Sequence, residues 1–454
     1  MTLLDVFMTA AVAVVVWIPL SLRLRTLGRV ESQVVVASFG AHLVASVATI
    51  AIAEAVYGGV VDFNGFRRAG ALIAEEMRGD FFEVFPRAVL LFFHQDAWIN
   101  VPLNLEPRGG RSTVSMWIVA AFGDLLLFRS FQATSAACAL FSFGGKLAIF
   151  EAFREYFPER YRSWVAAAAM LVPSVVYWTS GLIKEAIAVG GLGFAIWGMA
   201  QIAKRVTPTG VGFALGGALV VAAIKPYLLI ALALGTGAWI YSARSRGPDG
   251  KVRIRPVWFA LTVAVALFGV IAVGRLFPQF SVERLGEEAA RMQFYGRRAA
   301  GGSYYELGDP TETSLVGQLQ YAPIALFTAL FRPLVFEARD PQVLVNSFET
   351  TSIFGLTVWL LVRKGWRWMF SNVISNPALS FAVAFSLPLA LGVGLISNNL
   401  GTLSRYRCPL VPFLVLALLM LTLARGDELV TRAGRVTRRR QRPVEVGPAV
   451  PSIR

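Results

Sequence analysis

Residues 3–22, LLDVFMTAAVAVVVWIPLSL, and residues 32–57, SQVVVASFGAHLVASVATIAIAEAVY, are each long and apolar enough to cross a bilayer. A helix rises 1.5 Å per residue, so about 20 apolar residues span the roughly 30 Å of hydrocarbon. The turn between them carries Arg23, Arg25 and Arg29, and basic residues accumulate in the cytoplasmic loops of membrane proteins. The pair predicts a transmembrane helical hairpin whose turn lies in the cytoplasm.

The same apolar pattern recurs along the chain. Further spans are expected at 131–153, 164–180, 185–203, 209–224, 227–242, 257–276, 341–362, 377–397 and 408–424. Residues 114–128 are shorter and contain Asp124, so we expect an interfacial helix there; if they cross instead, 209–242 is one broken helix. The sequence therefore predicts an all-α polytopic membrane protein with about 11 spans, within a range of about 9 to 13.

Composition agrees with this class. Hydrophobic residues make up 56% of the 454 residues and charged residues 16%, against about 25% charged in soluble domains. The net charge of +15 lies mostly in short loops and in the tail, which predicts contact with anionic membrane lipid and excludes nucleic acid as a partner. Residues 2–20 lack the basic leader and the small-residue cleavage site of a secretory signal.

The spans define one membrane domain over residues 1–424, with two long outer loops at 58–113 and 277–340 that hold interfacial helices. Residues 425–454 form a basic tail, predicted to be disordered and cytoplasmic. Basic loops then all face the cytoplasm, as expected for a multi-pass protein of the inner (cytoplasmic) membrane. Gly212, Gly216 and Gly217 follow each other at close helical spacing, which indicates tight helix packing.

Charged residues at the outer ends of the spans are the candidates for chemistry, because charge is costly within hydrocarbon. Asp62, in GGVVDFNGFRRAG, either begins an amphipathic helix or acts as a general base toward a hydroxyl group. Lys184 and Glu185 begin a span, and Lys225, before Pro226, separates two apolar halves. Lys184 suits either a lipid phosphate or a membrane-surface anchor. Lys225 must lie at a membrane face or in a polar cavity, because a lipid-facing lysine at mid-depth is disfavoured.

Two further segments bring basic residues to the start of a span. LFRPLVFEARD contains Arg332 and Glu337, and SNNLGTLSRYRCPLVPF contains Arg405 and Arg407. A guanidinium group binds phosphate through a planar fork of donors, so these arginines suit a lipid-linked phosphate or pyrophosphate, with head-group anchoring as the alternative.

Other polar residues are weaker candidates. Solvent exposure on a helix face explains Glu75, Glu76 and Asp80, and loop packing is favoured for His94 over a pairing with Asp96. The sequence contains no phosphate-binding loop, no nucleophile elbow and no metal-spaced His/Cys cluster. Neither a metal nor a cofactor is therefore expected, and Cys138 and Cys408 are not expected to form a disulfide.

The order of these features resembles the membrane-embedded GT-C glycosyltransferases, especially the bacterial protein mannosyltransferases and aminoarabinose transferases. The resemblance rests on an acid after an early span, PSVVYWTSGLIKE, GFALGGALVVAAIKP and SRYRCPLVP. Asp62 follows the second predicted span, whereas the family has its acid after the first, and Asp62 has no adjacent second acid.

The resemblance implies an inverting transfer of sugar from a polyprenyl-phosphate carrier to a glycan, lipid or protein acceptor at the outer face. Asp62 would deprotonate the acceptor, and Lys225, Arg405 and Lys184 would stabilise the leaving phosphate. The composition of segment 277–340, with Tyr295, Tyr304, Tyr305 and Glu306, suggests separately that it closes over the acceptor.

Two alternatives remain open. An O-antigen or exopolysaccharide polymerase would depend on Arg332, Arg405 and Arg407 more than on Asp62. A transporter or flippase of lipid-linked sugars would show repeated halves or helices broken near the midplane, and no repeat is apparent in the sequence.

Overall fold

The computed structural model describes residues 2–57, 62–95, 111–245, 253, 255–298, 304–309, 311–338, 341–425 and 429. These residues form helices and turns, with no β-strand among them beyond one isolated bridge between Tyr304 and Asn399. The all-helical class is therefore confirmed.

Twenty α-helices are found in these ranges. In chain order they are α1 (Leu3–Leu24), α2 (Arg29–Tyr57), α3 (Asp62–Gly79), α4 (Phe81–Phe92), α5 (Arg111–Leu126), α6 (Phe131–Phe153), α7 (Arg162–Met170), α8 (Pro173–Trp178), α9 (Lys184–Lys204), α10 (Pro208–Ile224), α11 (Leu228–Arg244), α12 (Pro256–Leu276), α13 (Leu285–Arg298), α14 (Leu315–Leu319), α15 (Ala322–Phe331), α16 (Pro341–Lys364), α17 (Trp366–Ser375), α18 (Pro377–Ile396), α19 (Leu400–Tyr406) and α20 (Val411–Leu423).

Seven helices in the described part of the chain are long and apolar enough to cross a membrane. They are α1, α2, α6, α9, α12, α16 and α18. An eighth candidate is the pair α19 and α20, whose axes differ by 76° across a short break. Several apolar helices thus support a multi-pass membrane protein, while the count of about 11 spans stays a prediction.

The segment 164–180, expected as a span, is not one continuous helix. This segment forms two short helices, α7 and α8, and Val172 between them is extended, with φ −62° and ψ 119°. Pro173 is the reason, because proline lacks a backbone donor and its ring disfavours the α-helical conformation of the preceding residue. Pro173 instead occupies the first turn of α8, a position that suits its fixed φ angle.

The apolar stretch 209–242 is divided as expected into two helices, α10 and α11. Lys225 ends α10 with φ −144° and ψ 72°, and Pro226 follows in the turn before α11. Helices α9 and α10 pack closely against each other, and α6 packs on α9. Because α9 and α10 are joined by a short connection and run antiparallel, the end of α10 lies beside the start of α9.

Segment 114–128 belongs to α5, which has 16 residues and falls among the shorter apolar helices. It packs against α3, which carries a buried face with Phe66, Ile73 and Met77. A methyl group added at Gly70 of α3 would lie 2.5 Å from the Cβ of Ala120, so this glycine permits the close approach of the two helices. This packing against α5 fixes the position of α3 and therefore of Asp62, its first residue.

Candidate functional site

Five charged residues from four segments of the chain meet at one place. Asp62 is the first residue of α3, Lys184 and Glu185 begin α9, Lys225 ends α10, and Arg405 lies in the last turn of α19. Each was a candidate from the sequence, and their convergence is a property of the fold alone.

Glu185 is at the centre of this charged cluster and is 0% exposed. Lys225 Nζ donates a hydrogen bond of 2.7 Å to its Oε1. Arg405 Nε lies 2.9 Å from its Oε2, within ion-pair distance but without the direction of a hydrogen bond. A buried carboxylate needs such partners, because an uncompensated charge there is strongly destabilising.

Helix ends contribute to the placement of this pair. Glu185 lies in the first turn of α9, and Lys225 caps the last turn of α10. The partial positive charge at a helix N-terminus stabilises a carboxylate, and the partial negative charge at a C-terminus stabilises a cationic side chain. The antiparallel packing of α9 and α10 therefore brings together two residues that each helix end already favours.

Arg405 connects the buried pair to a more exposed acid. Its Nη1 donates a 2.6 Å hydrogen bond to Asp62 Oδ2. The side chain of Arg405 is 20% exposed and that of Asp62 is 57% exposed. Within the described residues, the second oxygen of Asp62 makes no hydrogen bond or ion pair, so it is available to a ligand from the solvent side.

Lys184, next to Glu185 in the first turn of α9, adds a third cation to the cluster. Its Nζ donates hydrogen bonds of 3.0 Å each to Ser112 Oγ and Thr113 Oγ1, at the start of α5. Its ammonium group interacts electrostatically with Lys225, Arg405, Glu185 and Asp62. Among the described residues, the cluster thus contains three cations against two carboxylates, an excess of positive charge that an anion would neutralise.

An aromatic wall adjoins Lys225. The ring centre of Tyr406 lies 4.9 Å from its Nζ, and that of Tyr227 lies 5.9 Å away. Such cation–π contacts stabilise a desolvated ammonium group. They hold Lys225, which is 5% exposed, within the protein and not at the surface.

Arg332, Glu337 and Arg407 form a second group beside the first. Arg332 donates to Glu337 Oε1 through Nε at 2.7 Å, and Tyr305 packs its ring 4.9 Å from the guanidinium carbon of Arg332. In the part of the chain that the structure describes, the buried hydroxyl of Tyr305 has no hydrogen-bond partner. Burial raises the pKa of this phenol, and the nearby Arg332 and Arg407 only partly offset that effect.

Arg407 is a buried component of this second group. Its Nη1 donates a 2.5 Å hydrogen bond to the carbonyl oxygen of Arg332, and its Nη2 donates one of 2.9 Å to Asn346 Oδ1. With 1% exposure, it supports the segment that carries Arg332 and Glu337. The charged residues predicted from sequence therefore divide into two adjoining groups, joined by α19.

Three of the weaker candidates, Glu75, Asp80 and His94, have structural partners. Glu75 pairs with Arg129 at 2.5 Å, and Asp80 Oδ1 caps α4 by accepting a hydrogen bond from the backbone of Glu83. His94 Nε2 lies 2.9 Å from Ser115 Oγ, a loop-packing contact; Asp96 lies outside the described residues. Cys138 and Cys408 are buried free thiols.

One buried polar group, around Lys146, was not among the candidates from the sequence. Lys146 of α6 is 0% exposed, and its Nζ contacts His42 Nε2 at 2.7 Å and Thr179 Oγ1 at 2.5 Å. Thr179 precedes the loop that leads to Lys184, and Thr49 donates to the next carbonyl, that of Ser180. The available signal was a single lysine in the apolar stretch 131–153. An ionisable residue within a membrane span is rare and usually has a polar partner or a function.

No group of three His, Cys, Asp or Glu side chains in the described ranges is arranged to hold a metal ion. No known protein family, curated protein or solved structure matches the chain.

Proposed function

We propose that this protein is an integral membrane glycosyltransferase that moves a sugar from a polyprenyl-phosphate carrier to a cell-envelope acceptor at the outer face of the inner membrane. The observation that carries the proposal is the charged cluster, in which an exposed carboxylate lies beside an excess of cations at the ends of apolar helices. A lipid-linked phosphate is an anion that reaches such a place from within the membrane. About 11 spans, with a cytoplasmic C-terminus, would put the cluster at the outer face.

The chemistry assigns a separate role to each acid. Asp62 accepts the proton of the acceptor hydroxyl, whose oxygen attacks the anomeric carbon of the sugar. The bond from that carbon to the carrier phosphate breaks, and the phosphate leaves with the electron pair. Asp62, and not Glu185, acts as the general base because Asp62 is exposed, whereas Glu185 is enclosed by Lys225 and Arg405.

The cations also have two separate roles, stabilising the phosphate and positioning the other charged residues. Lys184 and the partly exposed Arg405 stabilise the negative charge on the leaving phosphate. Lys225 is buried against Glu185, so it holds Glu185 and, through it, Arg405 in position. Asp62 and Arg405 both belong to exposed parts of the cluster, so acceptor and phosphate can approach from the same side.

The test is transfer of labelled sugar from polyprenyl-phosphate donors in membranes, with Asp62→Asn compared against the native protein. Glu83→Gln is the matched control, because Glu83 has the same 57% side-chain exposure and pairs with Arg87 away from the cluster. Loss of transfer in Asp62→Asn alone, with the folded protein still present, would support Asp62 as the base. Unchanged transfer in Asp62→Asn would remove it from the mechanism.

A polysaccharide polymerase is the second candidate, and the second group favours it. Arg332 and Arg407 lie next to Tyr305, and α19 links them to Arg405. Two adjoining basic sites would suit two lipid-linked phosphates. A protein whose activity requires Arg332 but tolerates Asp62→Asn, with pyrophosphate-linked oligosaccharides as substrates, would be a polymerase and not a transferase.

A further inference from the structure

An open apolar groove of about 480 Å³ lies where α6, α9 and α10 meet. Phe141, Phe194 and Phe213 form its walls, with ring centres 5.3 Å apart for the first pair and 5.6 Å apart for the second. Gly212 and Gly216 form part of its floor. Its volume lies within the range of about 300–1,000 Å³ that is usual for small-molecule sites.

The glycines of α10 have two different roles, which corrects the prediction that all three serve tight packing. A methyl group added at Gly217 would lie 2.5 Å from the backbone nitrogen of Ala195, so this glycine is required for the contact with α9. A methyl group at Gly212 or Gly216 would meet nothing within 4 Å. Helix packing does not require glycine at positions 212 and 216. The lack of a side chain at these two positions leaves the groove open.

One end of the groove lies close to the charged cluster. Val220, at that end, precedes Lys225 by little more than one turn of α10, and Gly191 follows Glu185 by less than two turns of α9. From the rise of a helix, the ion pairs lie roughly 8 Å beyond the groove along the helix axes. Thr209, at the other end of the groove, lies about 16 Å from Val220 along α10.

We propose that this groove binds the isoprenoid tail of the lipid-linked donor while its phosphate contacts Lys184 and Arg405. The inference rests on the proposed function, and it identifies where the carrier lies on this chain. Charge complementarity selects the head group, because the end of the groove lies roughly 8 Å along the helix axes from the charged cluster, whose described cations outnumber its carboxylates. The shape selects the tail, because methyl branches and planar double bonds fit against the aromatic walls and into the hollows at Gly212 and Gly216.

Packing, and not the hydrophobic effect, gives the groove its selectivity. Bilayer lipid is as apolar as the groove, so transfer of a tail from lipid to protein gains only van der Waals contact and fit. Filling the hollow should therefore weaken binding moderately and leave the fold intact. Gly216→Leu meets no protein atom at its Cβ and replaces a poor helix former with a good one.

Photo-crosslinking tests the groove directly. The probe is a long-chain polyprenyl monophosphate with a diazirine on its tail, added to the purified protein in phosphatidylcholine vesicles without any sugar. We expect labelling on peptides that contain Phe194 or Phe213, reduced roughly threefold to tenfold in Gly216→Leu and in Gly212→Leu. Lys184→Ala should also reduce labelling, because the head group loses a cation.

The matched control is Gly355→Leu in α16, where an added Cβ likewise meets nothing within 4 Å. Labelling should be unchanged in this variant. Labelling of the same peptides that is insensitive to Gly216→Leu and Gly212→Leu would overturn the proposal. Equal labelling by a phosphatidic acid with a diazirine on its acyl chain would also overturn it, because the groove would then be an ordinary lipid-facing surface.

This experiment and the transfer assay fail independently. Labelling requires neither a sugar nor a reaction, so a groove that binds the probe in a protein without transferase activity refutes only the proposed function. Intact sugar transfer in Gly216→Leu, together with unchanged labelling, refutes only the groove.

Discussion

Arg405 Nη1 lies 2.6 Å from Asp62 Oδ2, although 343 positions separate the two residues in the chain. The same guanidinium group also approaches the buried Glu185. Arg405 therefore connects an exposed carboxylate, suited to proton transfer, with a buried one that is suited to holding charge in place. This relationship makes the cluster a single electrostatic unit, in which a change at one residue should affect the others.

Glu185→Gln should destabilise the protein by about 3–5 kcal/mol, because it leaves Lys225 buried without its carboxylate. The measurement is thermal unfolding of the detergent-solubilised protein. Adding Lys225→Met to Glu185→Gln should recover part of the loss, since the uncompensated cation is then removed. Additive losses in the double variant would show that the two residues do not stabilise each other.

Arg405→Lys should reduce sugar transfer about a hundredfold while the protein stays folded. Lysine carries one compact charge and cannot present a fork of donors to Asp62 and Glu185 at the same time. Loss of a single charge-stabilising donor in an active site typically has an effect of this size. Initial rates at saturating donor, with Arg87→Lys as the surface control, would measure it. Equal rates for Arg405→Lys and the native protein would show that bridging is unnecessary.

The helices were predictable because their cause is local. A run of about 20 apolar residues has few alternatives to a helix in a membrane, and α1, α6, α9 and α18 begin and end within a few residues of the expected positions. The exception, 164–180, also has a local cause that the sequence displayed, namely Pro173. Boundaries of this kind follow from residue type and length.

The charged cluster was predictable only as a set of candidates. Asp62, Lys184, Glu185, Lys225 and Arg405 stood out because charge is costly near hydrocarbon, but nothing in the sequence specified that Arg405 would bridge Asp62 and Glu185. Those pairings depend on how α3, α9, α10 and α19 pack. The same limit explains Lys146, whose partners His42 and Thr179 come from two other helices.

Gly217→Leu should destabilise the protein, whereas Gly216→Leu should be tolerated. The two residues are adjacent, yet only a side chain at Gly217 would meet the backbone of α9. Overpacking a close helix contact typically costs about 1–3 kcal/mol or more. The yield of monodisperse protein after detergent extraction, with its unfolding temperature, would distinguish them. Similar behaviour of both variants would show that α9 and α10 do not pack as closely as described.

Lys146 should stabilise the region behind the charged cluster through hydrogen bonds and not through an ion pair. In the described residues it has no carboxylate within ion-pair distance, and it contacts His42 and Thr179 instead. Lys146→Met should cost about 1–3 kcal/mol, because His42 loses its donor, and Lys146→Ala should cost more, because it also leaves a cavity.

The decisive comparison is the double variant Lys146→Met with His42→Phe. Replacing both partners with apolar side chains leaves neither one buried and unsatisfied, so the double variant should be more stable than the sum of the single losses predicts. Unfolding temperatures of the four proteins in the same detergent complete this cycle. Strict additivity would mean that the 2.7 Å contact between Lys146 Nζ and His42 Nε2 contributes nothing to stability.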